Sequence, residues 1–139
     1  MAQFGLFINF NGNCREAVDF YAGVFNSKVE NLMTFGEAPV DPSMPIKESE
    51  KDRIMYAEVK IGQLNIMFMD NSDDWPLTIG NNIQPTINVD SEEELRRISD
   101  ALGVDGKTLM PPTKTFFAPL YAMVEDKFGV NWHVLLNEK

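Results

Sequence analysis

His133 is the only histidine in the chain of 139 residues. It sits in the run Asn131-Trp132-His133-Val134-Leu135-Leu136, whose composition and alternation predict a strand. Alternation puts His133 on one face with Asn131 and Leu135, and sends Trp132 to the other face as core. An imidazole so placed has the chemistry of a metal ligand, a general base or a hydrogen-bond donor. A half-buried strand histidine bonded to a neighbour carries the same signature. Glu58 lies in Tyr56-Ala57-Glu58-Val59-Lys60, so Tyr56, Glu58 and Lys60 share one face while Ala57, Val59 and Ile61 suit a helix-packed side. Aimed into an apolar cup, the Glu58 carboxyl is expected to have a raised pKa and to act as a base; at an exposed sheet edge it is solvated or ion-paired. His133 and Glu58 are therefore the catalytic candidates. Cys14 opens a predicted helix, where the helix dipole favours a thiolate, but no histidine is close in sequence and a small buried residue is the simpler role. Asp70, Asp73 and Asp74 lack the glycine and terminal bidentate Glu of a calcium loop, which favours a solvated turn.

The elements that must hold these residues occur twice. Ile8-Asn9-Phe10 and Ile87-Asn88-Val89 each precede a helix-start signal, and Tyr56-Ala57-Glu58-Val59 returns as Tyr121-Ala122-Met123-Val124. Such a repeat, with a period near half the chain, predicts two copies of one supersecondary unit. Tyr121, Met123 and Glu125 then match Tyr56, Glu58 and Lys60. In the first half, residues 4–10 read as a buried strand. Asn13 with Glu16 forms a capping-box pattern for a helix marked by Ala17, Phe20, Tyr21 and Val24 and ending near Asn26. Residues 28–36 read as a strand. Residues 37–52, with three prolines, read as a long surface loop of the kind that is functional or mobile. Residues 53–60 and 64–70 make a hairpin, and residues 71–82, bearing Trp75, a linker.

In the second half, residues 83–89 read as a strand with Pro85 inside it, at an edge or a bulge. Ser91 and Glu94 start a helix with Leu95, Ile98 and Leu102 on its buried face, and Gly103 is placed as its C-terminal cap. A short strand at residues 107–110 leads to a Pro111-Pro112 loop, and residues 120–125 and 131–137 make the last hairpin. Each half is thus β-α-β-β-β. The whole chain, 1–139, reads as one α+β domain of two modules, about 1–80 and 81–139.

Composition narrows the function. Apolar residues make up 44% and charged residues 24%, as in ordinary soluble proteins. No apolar run approaches the roughly 18 residues of a membrane span. Met1-Ala2-Gln3-Phe4 lacks the basic region of a signal peptide, and one cysteine excludes an internal disulfide; both suggest a cytoplasmic protein. A net charge of −9 with only 12 Lys and Arg argues against nucleic acid, whose phosphates call for a basic stripe. No Ser-His-Asp constellation presents itself. Met55, Met67, Met69 and Met123, with Phe68, Phe116, Phe117 and Trp132, suggest a large apolar surface. Most of it is core, but a Met-lined cavity would suit a planar or greasy ligand.

Phe10-Asn11-Gly12-Asn13-Cys14-Arg15-Glu16-Ala17 running into Phe20-Tyr21 and Val24-Phe25, then Phe35-Gly36-Glu37, then Asp126-Lys127-Phe128-Gly129-Val130-Asn131-Trp132, together span the chain. In these stretches it resembles the PhnB-like branch of the vicinal oxygen chelate (glyoxalase/bleomycin resistance/dioxygenase) superfamily. The resemblance implies two four-stranded, mainly antiparallel sheets around an open cup, with one helix behind each. It also implies, in active members, a divalent metal held by His, Glu or Gln from the first and last strand of each module. Carried over, those positions fall at Leu6 and Ile66 in module one and at Gln84 and His133 in module two. Only the second pair can ligate, and two protein ligands make a poor zinc site. The branch is often labelled a demethylubiquinone methyltransferase, yet no Gly-rich turn between a strand and a helix is present to hold a nucleotide-like cofactor.

The expectation is a homodimer that binds a small apolar or planar organic ligand, with no cofactor and no complete metal site. Its pocket is expected to be lined by Tyr56, Glu58, Gln84, Phe116, Tyr121, Met123 and His133, with residues 37–52 as lid or dimer arm. The rival expectation is a divalent-metal isomerase, lyase or dioxygenase using Gln84 and His133, with a third ligand from Glu58, Glu125 or a partner chain. A third is a drug-sequestering protein without turnover.

Overall fold

The runs of the first half fold as β1 (Phe7–Phe10), α1 (Cys14–Val24), β2 (Val29–Thr34), β3 (Ile54–Ile61) and β4 (Leu64–Asp70). Those of the second half fold as β5 (Thr86–Val89), α2 (Glu92–Leu102), β6 (Lys107–Thr113), β7 (Tyr121–Glu125) and β8 (Asn131–Leu136). The structure is a computed structural model that describes residues 1–138. It divides into two units, Met1–Thr78 and a second beginning at Ile79. Each unit is a four-stranded mixed sheet, in the order β1-β4-β3-β2 and β5-β8-β7-β6. In both, the first strand pairs in parallel with the last, and the other neighbours are antiparallel.

One face of each sheet is sealed by its helix. In the first unit Ala17, Val18 and Tyr21 of α1 are buried with Ala57, Val59, Ile66 and Phe68 of the sheet, and Tyr21 stacks on Phe68 with ring centroids 5.6 Å apart. In the second, Leu95, Ile98 and Leu102 are buried with Ala122, Val124, Trp132 and Val134. Trp132 is core, as its alternation predicts, and its indole N–H donates to Asp126 Oδ2 at 2.9 Å.

Several local expectations change. Asn13 makes no side-chain cap. Instead Asp70, at the end of β4, reaches the start of α1 and accepts from the Gly12 and Cys14 N–H groups at 2.7 and 3.0 Å. Ser91 does cap α2, accepting from Glu94 N at 3.1 Å. Gly103 closes α2 in right-handed geometry, φ −78°, and the left-handed residue that follows is Asp105. Pro85 precedes β5 and gives its carbonyl to His133 N. Pro111 and Pro112 lie inside β6 and not in a loop; as an edge strand β6 loses little by lacking their N–H groups. The stretch 37–52 is largely exposed but is pinned at its end, where the buried Glu50 carboxylate accepts from Ser72 Oγ and Asp73 N.

Candidate functional site

On the face of the second sheet turned away from α2, β8 presents His133 between two partners. Its Nδ1 meets the Tyr121 hydroxyl and its Nε2 meets Gln84 Oε1. Gln84 Nε2 donates to the Asn81 carbonyl at 2.8 Å, which orients the amide and leaves Oε1 towards the ring. An amide oxygen only accepts, so in the neutral ring Nε2 carries the proton and Nδ1 accepts from the phenol. Burial pushes the Tyr121 phenol above its ordinary pKa, keeping it a donor. The result is a directed chain, Tyr121 to His133 to Gln84 to Asn81. Phe117 packs edge-on against Tyr121 at 5.1 Å, and Phe116 against Phe117 at 5.3 Å. Phe116 itself is 99% exposed, so it touches the chain only through Phe117. Met123 lies opposite His133 in the β7–β8 register and is half-buried. Asn131, on the same strand face, has a buried side-chain oxygen without a partner among the described residues.

In the first unit the Tyr56 hydroxyl donates to Glu58 Oε2, and Asn31 Nδ2 donates to Glu58 Oε1 at 2.9 Å. The Tyr56 bond, then the Asn31 bond, hold the Glu58 carboxyl below its ordinary pKa, and the same bond raises Tyr56. This reverses the expectation of a raised Glu58: the group is a fixed carboxylate. Asn31 had no place among the predicted site residues. It sits at a bulge in β2 with φ +53°, a conformation Asn tolerates better than most residues. Its only signal was an Asn inside a predicted strand, where Asn is depleted.

Register also corrects the positions carried over by resemblance. β3 pairs Glu58 with Met67 and β7 pairs Met123 with His133. Because the two tyrosine motifs are the repeat, Met67 stands where His133 does. β1 pairs Phe7 with Met67 and β5 pairs Thr86 with His133, so Gly5 stands where Gln84 does. A side chain on Gly5 would lie 3.3 Å from the Met67 methyl. Leu6 and Ile66 are each one residue out. Ile66 is buried on the helix side, and Leu6 matches Pro85, both giving a carbonyl to the last strand at 3.0 Å. A slip of one residue changes the face of the sheet.

The remaining candidates are structural. Asp70 is buried and also accepts from Ile54 N at 2.9 Å. Asp73 pairs with Arg53 at 3.0 Å and Asp74 with Lys47 at 2.7 Å. Cys14 is fully buried, and desolvation, then the Asp70 charge, push its thiol far above the ordinary range. Trp75 is exposed. For a divalent metal, the second unit offers one imidazole and one amide oxygen already bonded to each other. The equivalent pair in the first unit, Gly5 and Met67, adds no hard donor. Among the described residues no group of three His, Cys, Asp or Glu could hold an ion, so the residues present do not fit a complete catalytic site.

Residues 2–135 match the protein family described as 3-demethylubiquinone-9 3-methyltransferase. The chain is 29% identical over 136 residues to Protein YjdN of Escherichia coli (strain K12), covering 92% of this chain and 90% of that protein. Among solved structures, protein PA1353 from Pseudomonas aeruginosa is 33% identical with a TM-score of 0.87, and 100% of both chains is covered. The putative 3-demethylubiquinone-9 3-methyltransferase, PhnB protein, from Bacillus cereus shares the fold at 23% identity, TM-score 0.78, over 98% of this chain and 100% of its own.

Proposed function

Because the chain belongs to the PhnB-like family of the vicinal oxygen chelate superfamily, the one described as 3-demethylubiquinone-9 3-methyltransferase, we propose that it binds a small apolar or planar organic molecule on the helix-free face of the second sheet. The observation that carries this reading is the Tyr121–His133–Gln84 chain bordered by Phe117 and Met123. It offers a flat apolar border beside a polar group whose direction is already set, the usual make-up of a small-molecule site. The Tyr121 proton is committed to His133, so its remaining lone pairs would accept from an O–H or N–H of the ligand.

Methyl transfer through a nucleotide-like cofactor is not part of the reading. At the α1 N-terminus, where such a group's phosphate or carboxylate would dock, the Asp70 carboxylate already occupies the approach, accepting from the Cys14 N–H of the first turn and from the Gly12 N–H just before it. The reading is metal-free, because Gln84 and His133 supply only two protein ligands where a catalytic zinc holds three. It includes a cytoplasmic homodimer, because β2 and β6 end their sheets and free edges invite pairing; light scattering on the purified protein tests that part.

The deciding experiment pairs elemental analysis with a ligand screen. Wild type and His133→Ala are assayed for bound metal and titrated with Zn²⁺, Ni²⁺ and Mn²⁺, then wild type and Tyr121→Phe are screened against planar aromatic alcohols and amides by thermal shift. The expected result is no stoichiometric metal, and saturable ligand binding that weakens about tenfold without the phenol. Stoichiometric metal that disappears with His133 would overturn the reading in favour of a metal-dependent isomerase, lyase or dioxygenase.

A further inference from the structure

On the face of the first sheet turned away from α1, strand register lines up Phe7 of β1, Met67 of β4 and Glu58 of β3 in one row. The row crosses two strand spacings, about 9–10 Å. Its β1 end is apolar: Phe7 is 43% exposed and lies edge-on to the Tyr56 ring at 6.1 Å. Its β3 end is a carboxylate held only by neutral donors, the Tyr56 hydroxyl and the Asn31 amide. Neutral donors fix the position of a charge without cancelling it. Among the described residues no lysine or arginine pairs with Glu58. A carboxylate has about four acceptor positions, and here two are taken.

The repeat shows that this row is not demanded by the fold. The same row in the second unit reads Thr86, His133 and Met123, with the tyrosine turned to an imidazole instead. Unit one has no imidazole, and its tyrosine orients a charge. We infer that the Phe7–Met67–Glu58 row is a binding site for an organic ammonium ion with an apolar body. The cationic nitrogen sits at Glu58 beside the Tyr56 ring, and the body lies along Met67 towards Phe7. A carboxylate and an aromatic ring together recognise such a cation through charge-assisted hydrogen bonding and the ring quadrupole. The net charge of −9 raises the local concentration of cations and repels anionic ligands. The inference stands on first-unit residues alone and does not depend on the Tyr121 chain.

The test is an NMR titration of the full chain, isotope-labelled at backbone amides and methionine methyls, with phenylpropylammonium and with the uncharged phenylpropanol. Saturable shifts are expected at the Met67 methyl and the Glu58 amide. Affinity should fall about tenfold or more in Glu58→Gln, and the alcohol should bind weaker than the ammonium by a similar factor. Asn31→Ala keeps the charge but frees the carboxylate, and should weaken binding without altering spectra of the core. Equal binding of alcohol and ammonium, or unchanged affinity in Glu58→Gln, would overturn the inference. So would saturation of these residues by Ca²⁺ with no response to the ammonium.

Discussion

The Asp70 carboxylate accepts three backbone N–H groups, from Gly12, Cys14 and Ile54, and so ties the start of α1 and the start of β3 to the end of β4. Replacing it with alanine leaves three donors without their partner, those of Cys14 and Ile54 in a buried place. Asp70→Ala should therefore destabilise the protein by about 3–5 kcal/mol, measured by urea unfolding. Glu58 invites a different measurement. Its folded-state pKa is lowered by Tyr56 and Asn31, so its stabilising contribution is present above the unfolded-state value and fades as pH falls through the folded one. Tyr56→Phe should move the Glu58 carboxyl pKa upwards in a carbon-detected NMR titration. The same change should destabilise the protein at neutral pH more than in acid; an equal effect at both would show that the bond does not couple to the charge.

At the scale of elements, the two helices start by different means although their sequences carry the same signal. Ser91 accepts from the Glu94 N–H, while Asn13 makes no cap and Asp70 serves in its place. Ser91→Ala should cost about 1 kcal/mol, and Asn13→Ala only a few tenths, in paired denaturation curves. The approach to β6 depends on Gly106, where an added Cβ would lie 2.2 Å from the Glu125 carbonyl oxygen. That neighbour is backbone and cannot swing aside, so Gly106→Ala should cost about 3 kcal/mol, read as a lowered unfolding midpoint. The capping pattern at Asn13 was legible as a helix start because a helix does start there. What satisfies its N–H groups was not, because the acceptor comes from a strand 56 residues away.

For the molecule as a whole, two units repeat one strand order, and each closes its own core of helix on sheet. Among the described residues no helix is long and apolar enough to cross a membrane. Under the metal-free reading, a chelator should leave the thermal midpoint unchanged; a drop restored by one divalent ion would contradict it. The sequence by itself determined the two βαβββ units and the helix-packed and helix-free faces of β3 and β8, because alternation, helical spacing and turn residues are local signals repeated twice; the family it carried by resemblance, in the stretches Phe10 to Ala17, Phe35 to Glu37 and Asp126 to Trp132. Pro111 and Pro112 were misread as a loop because a proline excludes only the interior of a sheet, and whether β6 is an edge is a matter of pairing. Tertiary structure alone decided the rest. Register made Met67 and Gly5, rather than Ile66 and Leu6, the repeat equivalents of His133 and Gln84. It also set Glu58 between Tyr56 and Asn31 and lowered its pKa instead of raising it. The physical reason is that the sign of a pKa shift and the partner of a strand residue depend on neighbours far apart in sequence, and a slip of one residue exchanges one face of a sheet for the other.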